Sequence, residues 1–201
     1  EISCSLVGSE MCIRDRYNLA ELQNDCSSLF KISPSDTLKI VQELYEKKLV
    51  TYPRTDARVL STAVAKEIYK NISGLKRYTP MAAYADEVLN MGSYKTIAKT
   101  KYVNDKQITD HYAIIPTGQG MGALRGLSEI AANVYEIICR RFLSIFYPAA
   151  EYQKLSMTLA KQDEFLFANF KYMLKEGYLK VATNRFARKK DDTKYLSLIH
   201  I

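Results

Sequence analysis

The sequence predicts an α+β chain, mainly helical, in which a helical region gives way near Pro148 to a β-rich segment. Three observations carry this. Apolar residues recur at helical spacing behind clear start signals as far as Phe146. Pro148 then closes the helical run. Beyond it, Leu155, Met157 and Leu159 alternate with Lys154, Ser156 and Thr158, the period of a half-buried strand.

Taken in order, Leu19, Leu22, Cys26, Leu29 and Phe30 predict a first amphipathic helix. Ser33-Pro34-Ser35-Asp36 opens a second: the serine can cap, the proline suits the first turn, and the aspartate faces the positive end of the helix dipole. Leu38, Val41, Leu44, Tyr45 and Lys48 follow its period, and Lys47-Lys48 end it. Leu49-Val50-Thr51-Tyr52 reads as a short buried strand stopped by Pro53. A third helix runs from Ser61 to about Ile72, closed by Ser73-Gly74. Residues 74–126 read as loop-rich, on Pro80, Pro116 and a series of glycines. Ser128-Glu129 opens a long helix to about Phe146. After the first strand, Lys161-Gln162-Asp163 predicts a turn and Glu164 to Tyr172 the return strand, with Tyr178 to Val181 a possible third. The division follows: a helical domain over 17–148, a β-rich unit over 149–185 and a charged loop over 186–196.

The two ends do not share this patterning. Residues 1–16, above all Ser9-Glu10-Met11-Cys12-Ile13-Arg14-Asp15-Arg16, resemble translated sequencing-adapter read-through, and 197–201 resemble the same artefact in another frame. Both are expected to be non-native. The whole chain carries +7, from 29 basic and 22 acidic residues. Without its ends it has 27 and 19, so the surplus of +8 belongs to the body and suits an anionic partner such as nucleic acid as well as an ordinary basic surface. Cys4, Cys12, Cys26 and Cys139 form no CxxC pair, which fits reduced thiols and a cytoplasmic location. Lys70, Lys76, Arg77 and Tyr78, then Tyr94, Lys95, Lys99, Lys101 and Tyr102, mix charge with rings in a manner suited to single-stranded nucleic acid or to a solvated face.

The chemistry concentrates at Thr51-Tyr52-Pro53-Arg54-Thr55-Asp56. A tyrosine hydroxyl can attack a phosphodiester and hold the cut strand as a phosphotyrosine. A phenol in water keeps its proton to about pH 10, so it needs help to react. Charge that builds on the phosphate oxygens can be met by a guanidinium with paired hydrogen bonds. In an extended segment residues two apart share a face, so Tyr52 and Arg54 can converge on one phosphate. On the residues alone such a turn is more often structural, with the tyrosine buried and the arginine solvated.

Two long motifs add a resemblance. Leu44-Tyr45-Glu46-Lys47-Lys48-Leu49-Val50-Thr51-Tyr52-Pro53-Arg54-Thr55-Asp56 resembles the active-site signature of type IA DNA topoisomerases, in particular the topoisomerase III branch. About sixty residues on, Asp110-His111-Tyr112-Ala113-Ile114-Ile115-Pro116-Thr117 resembles the family's Asp-His-His-Ala-Ile-Ile-Pro-Thr segment, with Tyr112 in place of the second histidine. Tyr17 to Gln23 and Phe167 to Val181 also resemble the family, so the likeness covers about 17–185. By position it implies Tyr52 as nucleophile, Arg54 and His111 as catalytic groups at the scissile phosphate, and Thr55, Arg58, Asp110 and Thr117 as DNA-binding positions. Asp110 is a candidate to orient His111 by a hydrogen bond; Arg58 suits a solvated surface equally well, and Thr117 is expected to position its loop.

The resemblance further implies a winged-helix or catabolite-activator-like catalytic-tyrosine domain, followed by the start of a β-rich arch. It implies an ATP-independent isomerase that cuts one strand through a 5′-phosphotyrosine, passes another strand and reseals. DNA, chiefly single-stranded, and the remainder of the parent protein are the implied partners. A monomer is expected, with no membrane partner. Mg2+ is implied, bound by an acidic N-terminal domain outside this chain. No metal ligands are expected within it, and the fragment alone is expected to bind single-stranded DNA weakly and not to relax supercoils. One competing class is a non-catalytic winged-helix DNA-binding module, which explains charge and helices but not the Tyr-Pro-Arg-Thr-Asp run. Another is a tyrosine recombinase or replication-initiator nuclease, which usually needs several basic catalytic residues or a histidine metal cluster; a body with His111 alone counts against the metal-dependent version.

Overall fold

The computed structural model describes residues 2–7, 16–161, 164–183 and 185–186. In chain order the elements are strand β1 (Ile2–Val7), helices α1 (Leu19–Phe30), α2 (Pro34–Glu46), α3 (Thr62–Leu75), α4 (Thr79–Met91) and α5 (Glu129–Ser144), strands β2 (Glu151–Lys161) and β3 (Glu164–Lys175), and a short helix α6 (Leu179–Ala182). Three 3-10 segments, Ser93–Lys99, Asp105–Gln107 and Met121–Gly126, lie between α4 and α5.

The start signals act as their chemistry requires. The Asn18 side chain accepts the Glu21 N–H, Ser61 that of Val64, and Ser128 that of Ala131. At α2 the Ser33 hydroxyl accepts the Asp36 N–H at 3.0 Å, and Pro34 occupies the first turn, where its missing N–H costs nothing. Exchange of Ser33 for alanine should lower stability by about 1 kcal/mol in denaturant unfolding, with the slope unchanged.

Helix α5 is the centre of the core. The other helices bury one stripe each, but α5 buries most of its circumference, including Val134, Tyr135, Ile138, Phe142 and Leu143. Its buried charges are paired: Glu136 accepts from Arg140 at 2.8 Å, and Arg141 lies 3.2 Å from Asp25 and over the Tyr17 ring. Cys26 and Cys139 are buried free thiols, and burial pushes the Cys26 thiol up to about 12.

The structure corrects several expectations. Residues 74–126 are not simply loop: α4 lies within them. Pro80 falls in its first turn, where proline is tolerated, and Met81, Ala85 and Val88 form its buried stripe. The expected strand at Leu49–Tyr52 is reduced to one bridge, Val50 to Pro116. Lys48 turns the chain at φ 60°, and Leu49 donates its N–H back to the Leu44 carbonyl at 2.9 Å, so Leu49 is still closing α2. The possible strand at Tyr178–Val181 is the helix α6 instead. Gly177 turns at φ 49° hard against the backbone of Pro148 and Ala149, which leaves no room for an extended run.

The sheet is antiparallel, in the order β1-β2-β3. The hairpin of β2 and β3 was expected; Gln162 and Asp163 of its turn lie outside the described residues. β1, within the expected non-native stretch, pairs with β2 from Ile2 opposite Leu159 to Val7 opposite Lys154. Arg16, in the same stretch, is buried: its guanidinium donates to the carbonyls of Arg58 and Tyr102 and stacks over the Tyr102 ring. Tyr102 is therefore no open platform for a base, and Lys70 and Lys76 pair with Glu67 and Asp86. Beyond Pro148 the chain leaves as the hairpin and returns. Arg140 donates to the Val181 carbonyl, and Lys180 meets Glu87 at 2.8 Å, tying α6 to the helical body. Most of the expected loop 186–196, and all of 197–201, lie outside the described residues.

Candidate active site

Two irregular segments, 49–60 and 111–117, meet where α2 ends. Thr51 donates its N–H to the Ile115 carbonyl, Thr117 to Leu49 and Ala113 to Val59, each at 3.0 Å. Within the first segment burial alternates: Pro53, Thr55, Ala57 and Val59 face inward, and Arg54, Asp56 and Arg58 face solvent. Tyr52 is half-buried and in phase with the outward row, so it shares a face with Arg54 as the two-residue period requires.

The Tyr52 ring sits between two others. His111 lies with its centroid 4.3 Å away, tilted by 38°, and Tyr45 meets Tyr52 edge-on at 5.4 Å. Tyr45, Lys48, Thr51, Tyr52, His111, Tyr112, Thr117 and Gln119 help to line one groove of about 560 Å³. Among the described residues the Tyr52 hydroxyl has no hydrogen-bond partner, so it is free to meet a ligand.

The expected site residues divide into two groups. Tyr52 and His111 come together in the groove. Arg54 is exposed on the Tyr52 face but does not line the groove wall. Asp110 is exposed, and among the described residues no hydrogen bond joins it to His111, so the expected orienting contact is not made. Arg58 is held by Glu21 at 3.0 Å. Thr55 is buried rather than presented to a ligand: its hydroxyl donates to the His111 carbonyl at 2.8 Å and accepts the Ala57 N–H at 3.1 Å. The Thr117 hydroxyl donates to the Lys48 carbonyl and accepts the Gln119 N–H, which positions its loop.

Two groups escaped sequence reasoning. Tyr45 follows the period of α2 and falls within the first motif, but neither gives it a role; it is exposed and meets the Tyr52 ring edge-on. Thr51 uses its hydroxyl twice, donating to the Ala113 carbonyl at 3.1 Å and accepting the Ile115 N–H at 3.0 Å. Nothing local in the sequence marks that. Tyr112, in place of the family's second histidine, lines the groove beside His111, and burial raises its phenol above the ordinary value.

Among the described residues no three of histidine, cysteine, aspartate or glutamate stand close enough together to hold a metal ion. Asp191 and Asp192 lie outside the described residues. Among the described residues no helix is long and apolar enough to cross a membrane.

Residues 12–200 match a family model described as DNA topoisomerase. The chain is 35% identical over 191 residues to DNA topoisomerase 3 of Bacillus cereus (strain ATCC 14579), covering 92% of this chain and 25% of that protein. It is 36% identical over 165 residues to DNA topoisomerase 3 of Bacillus subtilis (strain 168), covering 81% of this chain and 22% of that protein. The chain thus spans about a quarter of the length of these curated relatives. Its fold resembles full-length topoisomerase I from Thermotoga maritima, with a TM-score of 0.60 and 20% identity over all of this chain and 32% of that one. With its two motifs meeting in one groove and the family match spanning nearly its whole length, the chain belongs to the type IA DNA topoisomerases, in the topoisomerase III branch.

Proposed function

We propose that this chain supplies the nucleophile of a reaction that cuts and reseals one DNA strand, so that another can pass. The observation that carries the reading is Tyr52 in an open groove, its ring 4.3 Å from that of His111, with Arg54 on the same outward face. The Tyr52 hydroxyl attacks the phosphorus, and the bond from phosphorus to the 3′ oxygen breaks. The phenol gives up its proton to solvent or to a neutral imidazole, and the 3′ oxygen takes one up. The 5′ phosphate stays on Tyr52 as an ester. Attack by the 3′ hydroxyl reverses every step, and because the ester conserves the bond energy no ATP is consumed.

In this reading Arg54 meets the phosphate oxygens by paired hydrogen bonds, and His111 contacts one through a ring nitrogen. Residues 17–148 act as a catalytic-tyrosine domain of winged-helix type, and 149–185 begin an arch around the strand. The acidic residues that hold Mg2+ lie in the parent protein beyond these 201 residues. Single-stranded DNA is the preferred form, because the attacked phosphate must reach an irregular groove rather than a duplex-shaped face. The parent works as a monomer in the cytoplasm.

The test is covalent trapping. The full chain is mixed with labelled single-stranded DNA and Mg2+, with and without the acidic remainder of a relative such as DNA topoisomerase 3 of Bacillus subtilis, and resolved on a denaturing gel. A protein–DNA adduct should appear with the added remainder and be lost in Tyr52→Phe. The chain alone should form no adduct and relax no supercoiled DNA; efficient relaxation by the chain alone would overturn the division of labour. DNA binding that is insensitive to Tyr52→Phe, with no adduct under any condition, would favour a non-catalytic binding module.

A further inference from the structure

We infer that Thr55, seconded by Thr51, is a positioning residue that sets Tyr52 against His111. This rests on the reading of Tyr52 as nucleophile but concerns a different pair of residues. Tyr52 and His111 belong to separate segments, about sixty residues apart, and no regular ladder joins them. Beside three backbone hydrogen bonds, two threonine hydroxyls tie the segments together. Thr55 donates to the carbonyl of His111 itself at 2.8 Å, and Thr51, next to Tyr52, both donates to Ala113 and accepts from Ile115.

The alternation of the segment explains why threonine serves here. Side chains at 51, 53 and 55 point away from the outward face, so a hydroxyl on that side reaches the neighbouring backbone while Tyr52 and Arg54 stay open. Pro53 has no N–H to give to the neighbouring segment, and the hydroxyls on either side of it add to the backbone bonds that join the two. A branched side chain with few rotamers holds these bonds at low entropic cost. Thr55 is buried and its bond to His111 partly so; its loss leaves the His111 carbonyl without that donor and frees the histidine backbone to shift. Misplacement of a reacting group by about 1 Å is worth roughly 100-fold in rate.

Two readouts separate positioning from general stability and from DNA contact. In the full chain, proton resonance of the His111 ring reports the Tyr52 ring current; His111 and His200 are distinguished by a His200→Gln control. In the trapping reaction with the added remainder, single-turnover adduct formation is compared with oligonucleotide Kd. Thr55→Val, which keeps the shape and removes the hydroxyl, should abolish the His111 ring-current shift and slow adduct formation by roughly 10- to 100-fold, with Kd within about twofold. Thr55→Ser should keep both near wild type. An unchanged His111 resonance and adduct rate in Thr55→Val would overturn the inference, as would a loss confined to Kd, which would make Thr55 a DNA contact. Should Thr55→Val fail to fold, Thr55→Ser decides: a wild-type resonance supports the role of the hydroxyl, and a lost one refutes it. Because the ring current survives in Tyr52→Phe, failure of the nucleophile reading leaves the resonance test standing.

Discussion

Phenylalanine at position 52 is expected to abolish the covalent adduct while leaving the protein folded. The exchange removes one oxygen. The ring that meets Tyr45 at 5.4 Å and His111 at 4.3 Å remains, so the packing of the groove is kept. Among the described residues the lost hydroxyl bonds to nothing, so its removal orphans no buried group. Unfolding free energy should therefore stay within about 0.5 kcal/mol of wild type. Adduct formation should fall on the order of 10⁴-fold or more, below detection on a gel, because the exchange removes the oxygen that attacks in the proposed mechanism. An adduct of undiminished yield in Tyr52→Phe would move the nucleophile to another residue and take the proposed mechanism with it.

Alanine at Gly74 is expected to cost about 3 kcal/mol or more. In a helix, glycine to alanine ordinarily stabilises by up to about 1 kcal/mol. Here the sign reverses, because a Cβ on Gly74 would lie 2.0 Å from the Gly118 carbonyl oxygen and 2.4 Å from its Cα. The obstruction is backbone, which cannot swing aside as a side chain can. Gly118 is equally confined: it turns at φ +75°, and its own Cβ would meet the Asn71 carbonyl at 2.7 Å. The paired glycines let the segment after Pro116 lie directly on α3, where Asn71 donates to the Pro116 carbonyl at 2.8 Å. Thermal unfolding of Gly74→Ala should come on the order of 10 °C lower. Gly122→Ala is the control: its Cβ meets nothing within 4 Å, so it should stay within about 0.5 kcal/mol. Equal stability of Gly74→Ala and wild type would mean that α3 and this segment are not in backbone contact.

What could be read in advance tracks the range of the interactions involved. The opening of α2 was legible because Ser33, Pro34 and Asp36 act on groups within one turn of themselves. The α5 helix and the β2–β3 hairpin were legible because their periods are written in consecutive residues. The α4 helix was misread because Pro80 marks a loop as readily as a first turn; what decides is whether Met81, Ala85 and Val88 find a surface to cover. Tyr178 to Val181 was misread because its apolar spacing fits a strand until Gly177 folds it against Pro148.

The sequence by itself determined the helical body, the change of period at Pro148, the basic surplus and, through its two motifs, the family and the residues worth naming. Only the tertiary structure decided how those residues meet. It set Tyr52 on His111 and Tyr45, turned Thr55 from a surface contact into a buried tie, and gave Arg58 to Glu21. The reason is physical: a cap or an amphipathic stripe is satisfied by neighbours along the chain, whereas the hydroxyls of Thr51 and Thr55 are satisfied by backbone carbonyls 62 and 56 residues away, which come within reach only once the core around α5 has formed.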